Sequence, residues 1–124
     1  MTITDAIHGI DALKPNGYPQ ADKIKWLADL DGTIKTQIID THEGGEGIIF
    51  NGYDGTTDIS TELLVPAPFD DIYLKWLEAK IDYANGEYGK YNNSITMFNA
   101  QYSTYANYYN RTHMPLGKAR KYFG

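Results

Sequence analysis

From Leu74 onward the chain places an apolar side chain alternately three and four residues apart: Leu77, Ile81, Ala84, Tyr88, Tyr91, Ile95, Phe98, Tyr102, Tyr105 and Tyr109. That spacing draws one continuous stripe along helical surface. Read as a single helix, residues 69–109 would be about 60 Å long at 1.5 Å per residue. Asn85-Gly86 with Gly89, and Asn92-Asn93-Ser94, are helix breakers and cap residues, so the pattern predicts a helical hairpin over 69–86 and 93–110. One long bent helix is the alternative. Asp70 or Asp71 supplies the opening cap.

A second helix is predicted over 20–39, where Ile24, Leu27, Leu30 or Asp31, Ile34 and Ile38 share a face flanked by Trp26. Asp22 suits its first turn. Gly32 weakens it by roughly 1 kcal/mol against Ala. Residues 1–19 read as an N-terminal arm, because Lys14-Pro15-Asn16-Gly17-Tyr18-Pro19 excludes interior helix. Within it Ile7, Ile10 and Leu13 form either one helical turn or a hydrophobic strap. Residues 40–68 change character: a Gly44-Gly45 and Gly47 loop, a β-type run at 48–50, turn pairs at Asn51-Gly52 and Asp54-Gly55, and short strands at 56–60 and 63–65. The expected fold is a small, mostly α single domain over 1–124. Its middle carries a short β-hairpin or irregular insertion, and residues 111–124 form a tail.

At 124 residues there is room for one modest core. The chain is 42% hydrophobic and 22% charged, as expected of a globular protein. No apolar run approaches the roughly 20 residues that span a bilayer. The first ten residues hold Asp5 and His8 with no basic start, which argues against a secretory signal. Without cysteine there is no disulfide scaffold, thiolate nucleophile or cysteine-ligated metal. The formal charge of −5 opposes generic phosphate-backbone binding, although Lys118, Arg120 and Lys121 make the tail locally basic, a solvated end or a contact for an acidic partner. Tyrosine is the outlier, at 11 residues against four Phe and two Trp. It offers large contact area with a polar tip, suited to core edges and to interfaces alike.

Candidate chemistry is sparse. Asp29-Leu30-Asp31-Gly32-Thr33 spells the DxDGT signature of haloacid-dehalogenase-like phosphatases, with Asp70-Asp71 as conceivable magnesium ligands. That site needs a buried strand and a large α/β core, whereas Lys23-Ile24-Lys25-Trp26-Leu27 reads as helix, so a helix surface is the expectation. Asp54, Thr56, Asp58, Ser60 and Glu62 alternate oxygen side chains but lack the glycine and terminal acid of a calcium loop; a solvated β edge fits better. His8, His42 and His113 have no partner at ligand spacing. Arg111 and His113 suit a helix C-terminus before Pro115. No catalytic, cofactor-binding or metal residue is assigned.

Several stretches together resemble small proteins of tailed phages and prophages of Gram-positive bacteria. They are Leu13-Lys14-Pro15-Asn16, Lys25-Trp26-Leu27, Leu64-Val65-Pro66, Tyr73-Leu74-Lys75-Trp76-Leu77-Glu78-Ala79, Ile81-Asp82-Tyr83-Ala84, Tyr91-Asn92-Asn93-Ser94, Phe98-Asn99 and Asn110-Arg111-Thr112-His113-Met114-Pro115. The class resembled is the head–tail connector, or adaptor, and the likeness spans most of the chain outside residues 41–60. It implies a non-enzymatic helical protein in a homo-oligomeric ring beneath the portal. Such a ring extends the DNA channel and docks portal and neck or tail-completion proteins, without sequence-specific DNA binding and without membrane. It would be in the host cytoplasm during assembly and then at the virion neck. Contact residues are expected among Trp26, Trp76, Tyr102, Tyr105, Tyr108, Tyr109 and Arg111. The rival readings are another morphogenesis factor, a small regulatory adaptor, and a hydrolase built on Asp29 and Asp31.

Overall fold

Thr2 opens a three-turn helix where the sequence predicts only an arm. In the computed structural model, which describes residues 1–116, the Thr2 hydroxyl accepts from the Asp5 N–H and the Asp5 carboxylate accepts from the Thr2 N–H, each at 3.0 Å. This capping box starts α1, Ile3–Leu13, and buries Ile3, Ala6, Ile7 and Ile10. The Thr-x-x-Asp signal stands in the sequence, masked by the prolines downstream. Those prolines end α1 and lead into α2, Gln20–Ile34, which continues through a wide π-helical turn at Lys35–Ile39. The expected 20–39 helix is therefore present, with an extra residue in its last turn that lets Ile34, Ile38 and Ile39 all reach the core.

The hairpin is present and tighter than the breakers predict. Helix α3 is Ile72–Ala84 and α4 is Tyr88–Thr112. Gly86, at φ +74°, sits in the left-handed region that ends α3. The Glu87 N–H donates to the Asp82 carbonyl at 2.9 Å and the Gly86 N–H to the Tyr83 carbonyl at 3.0 Å, a Schellman motif. One glycine thus closes the helix, and Gly89 and Asn92-Asn93-Ser94 are carried inside α4 instead of delaying its start to 93. A continuous bent helix is excluded.

The two hairpin helices pack along their shared length, with α1 and α2 laid against α3 and the π turn against α4. The core is Ile3, Ile7 and Ile10 of α1, Leu27, Leu30 and Ile34 of α2, Tyr73, Leu77 and Ile81 of α3, and Phe98, Tyr105 and Tyr109 of α4. α1 approaches α3 at Gly9, where a methyl group would lie 3.0 Å from Leu74 Cδ2. Two ion pairs stitch the linkers to this core: Lys14 to buried Asp82, which also accepts from the Ser94 hydroxyl at 2.8 Å, and buried Lys23 to Asp11 at 2.7 Å.

Of the two forms expected for the middle segment, a short β-hairpin or an irregular insertion, the structure has the irregular one. Among the described residues there are no strands, only isolated antiparallel bridges between Thr2 and Glu62 and between His42 and Pro115. A 3-10 turn, Gly45–Gly47, follows α2. The segment instead wraps the body and satisfies helix ends: the Ile3 and Thr4 N–H groups donate to the Thr61 and Ile59 carbonyls, both at 3.0 Å. Ile59 of the expected 56–60 strand serves one of these helix ends, whereas the run 48–50 makes none of these bonds. No helix among the described residues is long and apolar enough to cross a membrane. The tail expectation for Lys118, Arg120 and Lys121 lies outside the described residues.

Candidate functional site

Two residues apart on a helix, Asp29 and Asp31 point some 200° apart and cannot act on one substrate atom. Asp29 is exposed and pairs with Lys25 at 3.4 Å. Asp31 is 0% exposed. This corrects the expected helix surface: the second aspartate of the DxDGT string is a buried anchor. Its Oδ1 accepts from the Tyr73 hydroxyl at 2.6 Å, and its Oδ2 accepts from the Tyr53 hydroxyl at 2.6 Å and the Leu64 N–H at 3.1 Å. The Tyr73 oxygen in turn accepts from the Val65 N–H at 2.7 Å. Burial pushes the Asp31 carboxyl up, against the three donors that favour its ionised form. Burial and the neighbouring carboxylate push both phenols far up. The arrangement ties the middle segment to the helices and leaves no carboxylate oxygen open to a substrate.

The other chemical candidates are also occupied locally. Asp54 accepts from the Thr56 N–H and hydroxyl, and Asp58 from the Ser60 N–H and hydroxyl, which hold both carboxyls below their ordinary value. These are two Asx turns in place of the expected β edge. Asp70 lies 3.6 Å from the amino terminus, and Asp71 accepts from Gln101 at 2.8 Å. His42 is buried, with Nε2 2.7 Å from Asn110 Oδ1 and Nδ1 3.0 Å from the Thr41 hydroxyl. His113 stacks on Tyr109 with ring centres 3.8 Å apart, and His8 is exposed. No group of three or more His, Cys, Asp or Glu among the described residues is placed to hold a metal ion.

What remains is an aromatic face on the hairpin. Trp76 of α3 donates its indole N–H to the Trp26 carbonyl at 2.8 Å and packs on Phe98, ring centres 4.9 Å apart. The Lys80 ammonium lies 5.3 Å from the Trp76 ring centre. Two shallow clefts flank this indole. One is lined by Leu30, Thr33, Gln37, Phe98 and Tyr102, the other by Ala79, Lys80, Tyr83, Tyr91 and Ile95. Tyr102 is fixed by its hydroxyl, which donates to Gln37 at 2.8 Å.

The expected contact residues divide by burial. Trp26, Trp76, Tyr102 and Tyr108 are half-buried, each with an accessible edge, and Arg111 is exposed. Tyr105 and Tyr109 are buried in the core, so on this surface they are packing residues instead of contact residues. Burial, with Tyr109 and Tyr108 alongside, pushes the Tyr105 phenol up to about 12. Tyr108 packs with Phe69 at 4.6 Å between ring centres, away from the Trp76 clefts.

Sequence reasoning passed over the hairpin tip. Tyr83 and Tyr88 are 57% and 60% exposed and meet edge to face at 5.7 Å, with Tyr91 5.2 Å from Tyr83. Tyr83 lies off the three-four ladder, and an aromatic residue off the stripe beside an Asn-Gly turn is the signal that was available. A rigid helical pair presenting rings with polar tips is suited to docking. No known protein family, curated protein or solved structure matches the chain.

Proposed function

We propose that the protein is a non-enzymatic virion assembly component, a head–tail connector that docks beneath the portal and forms part of the DNA channel. The observation that carries this reading is the accessible aromatic face on the hairpin, from the Trp76 clefts to Tyr83, Tyr88 and Tyr91. Aromatic side chains supply most of the energy at protein interfaces, and helices hold them with little entropy left to lose. The resemblance to connector proteins rests on residues that build this same body: Lys14 pairs with Asp82, Tyr73 binds Asp31, and Trp76 and Leu77 lie on the hairpin. A helical body with an irregular loop outside the resemblance suits a ring subunit, because ring packing constrains the body and leaves the sequence of the loop free to vary.

The test is the mass of the purified chain across concentration, alone and with the portal encoded beside it. Expected is a discrete oligomer of 14.0 kDa copies or a stable portal complex. Trp76→Ala and Tyr83→Ala should weaken the portal complex at least about tenfold, as for interface anchors, with helix content retained. Absence of both oligomer and portal complex would overturn the reading.

A further inference from the structure

The least covered large aliphatic side chain among the described residues is Ile49, 73% exposed, next to Ile48 at 37%. Both lie in a non-helical run that leaves the 3-10 turn extended at Ile48 (φ −100°, ψ 107°) and turns at Gly52 (φ +83°), and none of the backbone N–H groups from Ile49 to Tyr53 has a partner among the described residues. The run is nevertheless held from beneath. The Phe50 ring lies over Gly32, 3.7 Å from where a methyl group there would stand, and Phe50 meets Tyr53 edge to face at 5.1 Å. Tyr53 is in turn bonded to Asp31. A short anchored run before the Gly52 turn, with unpaired backbone N–H groups, no proline and no lysine, can take an added extended segment.

The charge pattern selects the segment. Residues 36–74 hold eight Asp and Glu and no Lys or Arg, whereas residues 117–124 hold Lys118, Arg120 and Lys121 with no acid. These are the two most one-sided stretches of the chain, and they are opposite in sign. The basic stretch also carries Tyr122 and Phe123, apolar rings to set against Ile48 and Ile49. The body meets the start of this stretch by a different edge: the Glu43 N–H donates to the Met114 carbonyl at 2.9 Å and the Leu116 N–H to the Thr41 carbonyl at 3.0 Å. That ladder cannot lengthen, because the residues before Thr41 belong to the π turn.

We infer that the edge beginning at Ile48, flanked by the acids Glu43, Glu46 and Asp54, receives the basic segment 117–124 of a second copy of this chain. Each copy then gives one segment and receives one, a head-to-tail contact that closes into a ring or runs on as a filament. This names the contact between copies and rests on the proposed assembly role. Because the charges lie at the surface, the contact weakens as salt rises.

The experiment is sedimentation velocity on the full chain from about 1 μM to about 500 μM, at about 50 mM and 500 mM salt, a range over which the Debye length falls severalfold. Two charge-reversed full-length variants are compared: Glu43→Lys with Glu46→Lys, and Lys118→Glu with Arg120→Glu and Lys121→Glu. The native chain should associate with concentration, at least about tenfold more weakly at the higher salt. Each variant alone should stay monomeric, and an equimolar mixture should associate again, since each reversed segment now meets its opposite in the other variant. Association of both variants as strong as the native chain's would overturn this contact while leaving the assembly role standing. A native chain monomeric throughout would overturn the contact too, and the portal complex would then decide the assembly role separately.

Discussion

Replacing Asp31 by Asn keeps the shape of the side chain and removes one acceptor. The carboxylate takes three donors: two phenols and the Leu64 N–H. The amide oxygen can keep Tyr53 and Leu64 on one side. Its NH2 group then faces the Tyr73 hydroxyl, whose oxygen already accepts from the Val65 N–H. The Tyr73 proton is left without an acceptor in a fully buried site. A lost bond to a charged group is worth about 1.5–3 kcal/mol, and removing a buried charge returns part of that through relief of desolvation. The expected net cost is about 1–3 kcal/mol. Asp31→Ala strands all three donors and should cost about 3–9 kcal/mol, at about 1–3 for each unsatisfied group, a large part of the stability of a small domain.

Urea unfolding of the full chain, followed by far-ultraviolet circular dichroism and tryptophan fluorescence, measures both. A double-mutant cycle of Asp31→Ala with Tyr53→Phe should return a coupling of about 1 kcal/mol. The dependence on pH has a definite sign. Burial raises the native Asp31 carboxyl above the unfolded value of 3.8, so the native state takes up this proton first on acidification. Its contribution to stability therefore grows as pH falls through the raised native value toward 3.8, and the cost of Asp31→Asn should be larger near pH 4 than at pH 7. A neutral or stabilising Asp31→Asn, or zero coupling to Tyr53, would refute the anchoring role.

Other substitutions probe separate features. Gly32→Ala should stabilise by about 0.5–1 kcal/mol, since the methyl meets Phe50 at ordinary contact distance and the helix gains propensity; thermal unfolding reads it, and a loss would mean that Phe50 needs the bare glycine. Lys14→Ala leaves the Asp82 carboxylate buried with one partner fewer and should cost about 2–4 kcal/mol by urea titration, against which an unchanged midpoint would count. Tyr105→Ala should cost about 3–5 kcal/mol as a core truncation, while Tyr83→Ala should stay within about 0.5 kcal/mol; equal effects in calorimetry would contradict the division between core and tip.

The helices were legible because their signals are local. The three-four ladder locates α3 and α4, and the apolar face of α2 is read directly from Ile24, Leu27, Leu30 and Ile34. Of α1 the sequence offered only one possible turn at Ile7, Ile10 and Leu13, because Pro15 and Pro19 end a helix without saying how long a helix precedes them. The middle segment stayed between a β-hairpin and an irregular insertion for a physical reason. Its β-branched residues favour extended backbone, but whether extended segments pair with each other or cap helices is decided by tertiary contacts. Spacing could set Asp31 beside Leu30 on the face of α2, but its partners were illegible for the same reason, since nothing near it in the chain announces Tyr53 or Tyr73. The candidate face was legible in its aromatic content only: periodicity placed Tyr105 and Tyr109 on the stripe, and which part of a stripe is covered depends on where α1 and α2 lie.

The three-residue connection at Gly86 bears on the order in which the molecule folds. α3 and α4 meet through residues close in the chain, so little loop entropy opposes their docking. The bonds to Asp31 instead join residues 22, 33 and 42 positions apart. The hairpin should therefore be native-like in the transition state, with φ-values highest for Leu77 and Phe98, while the Tyr53 bond forms on the downhill side with a value near zero. A destabilising change at Tyr53 would then speed unfolding and leave the refolding rate nearly untouched.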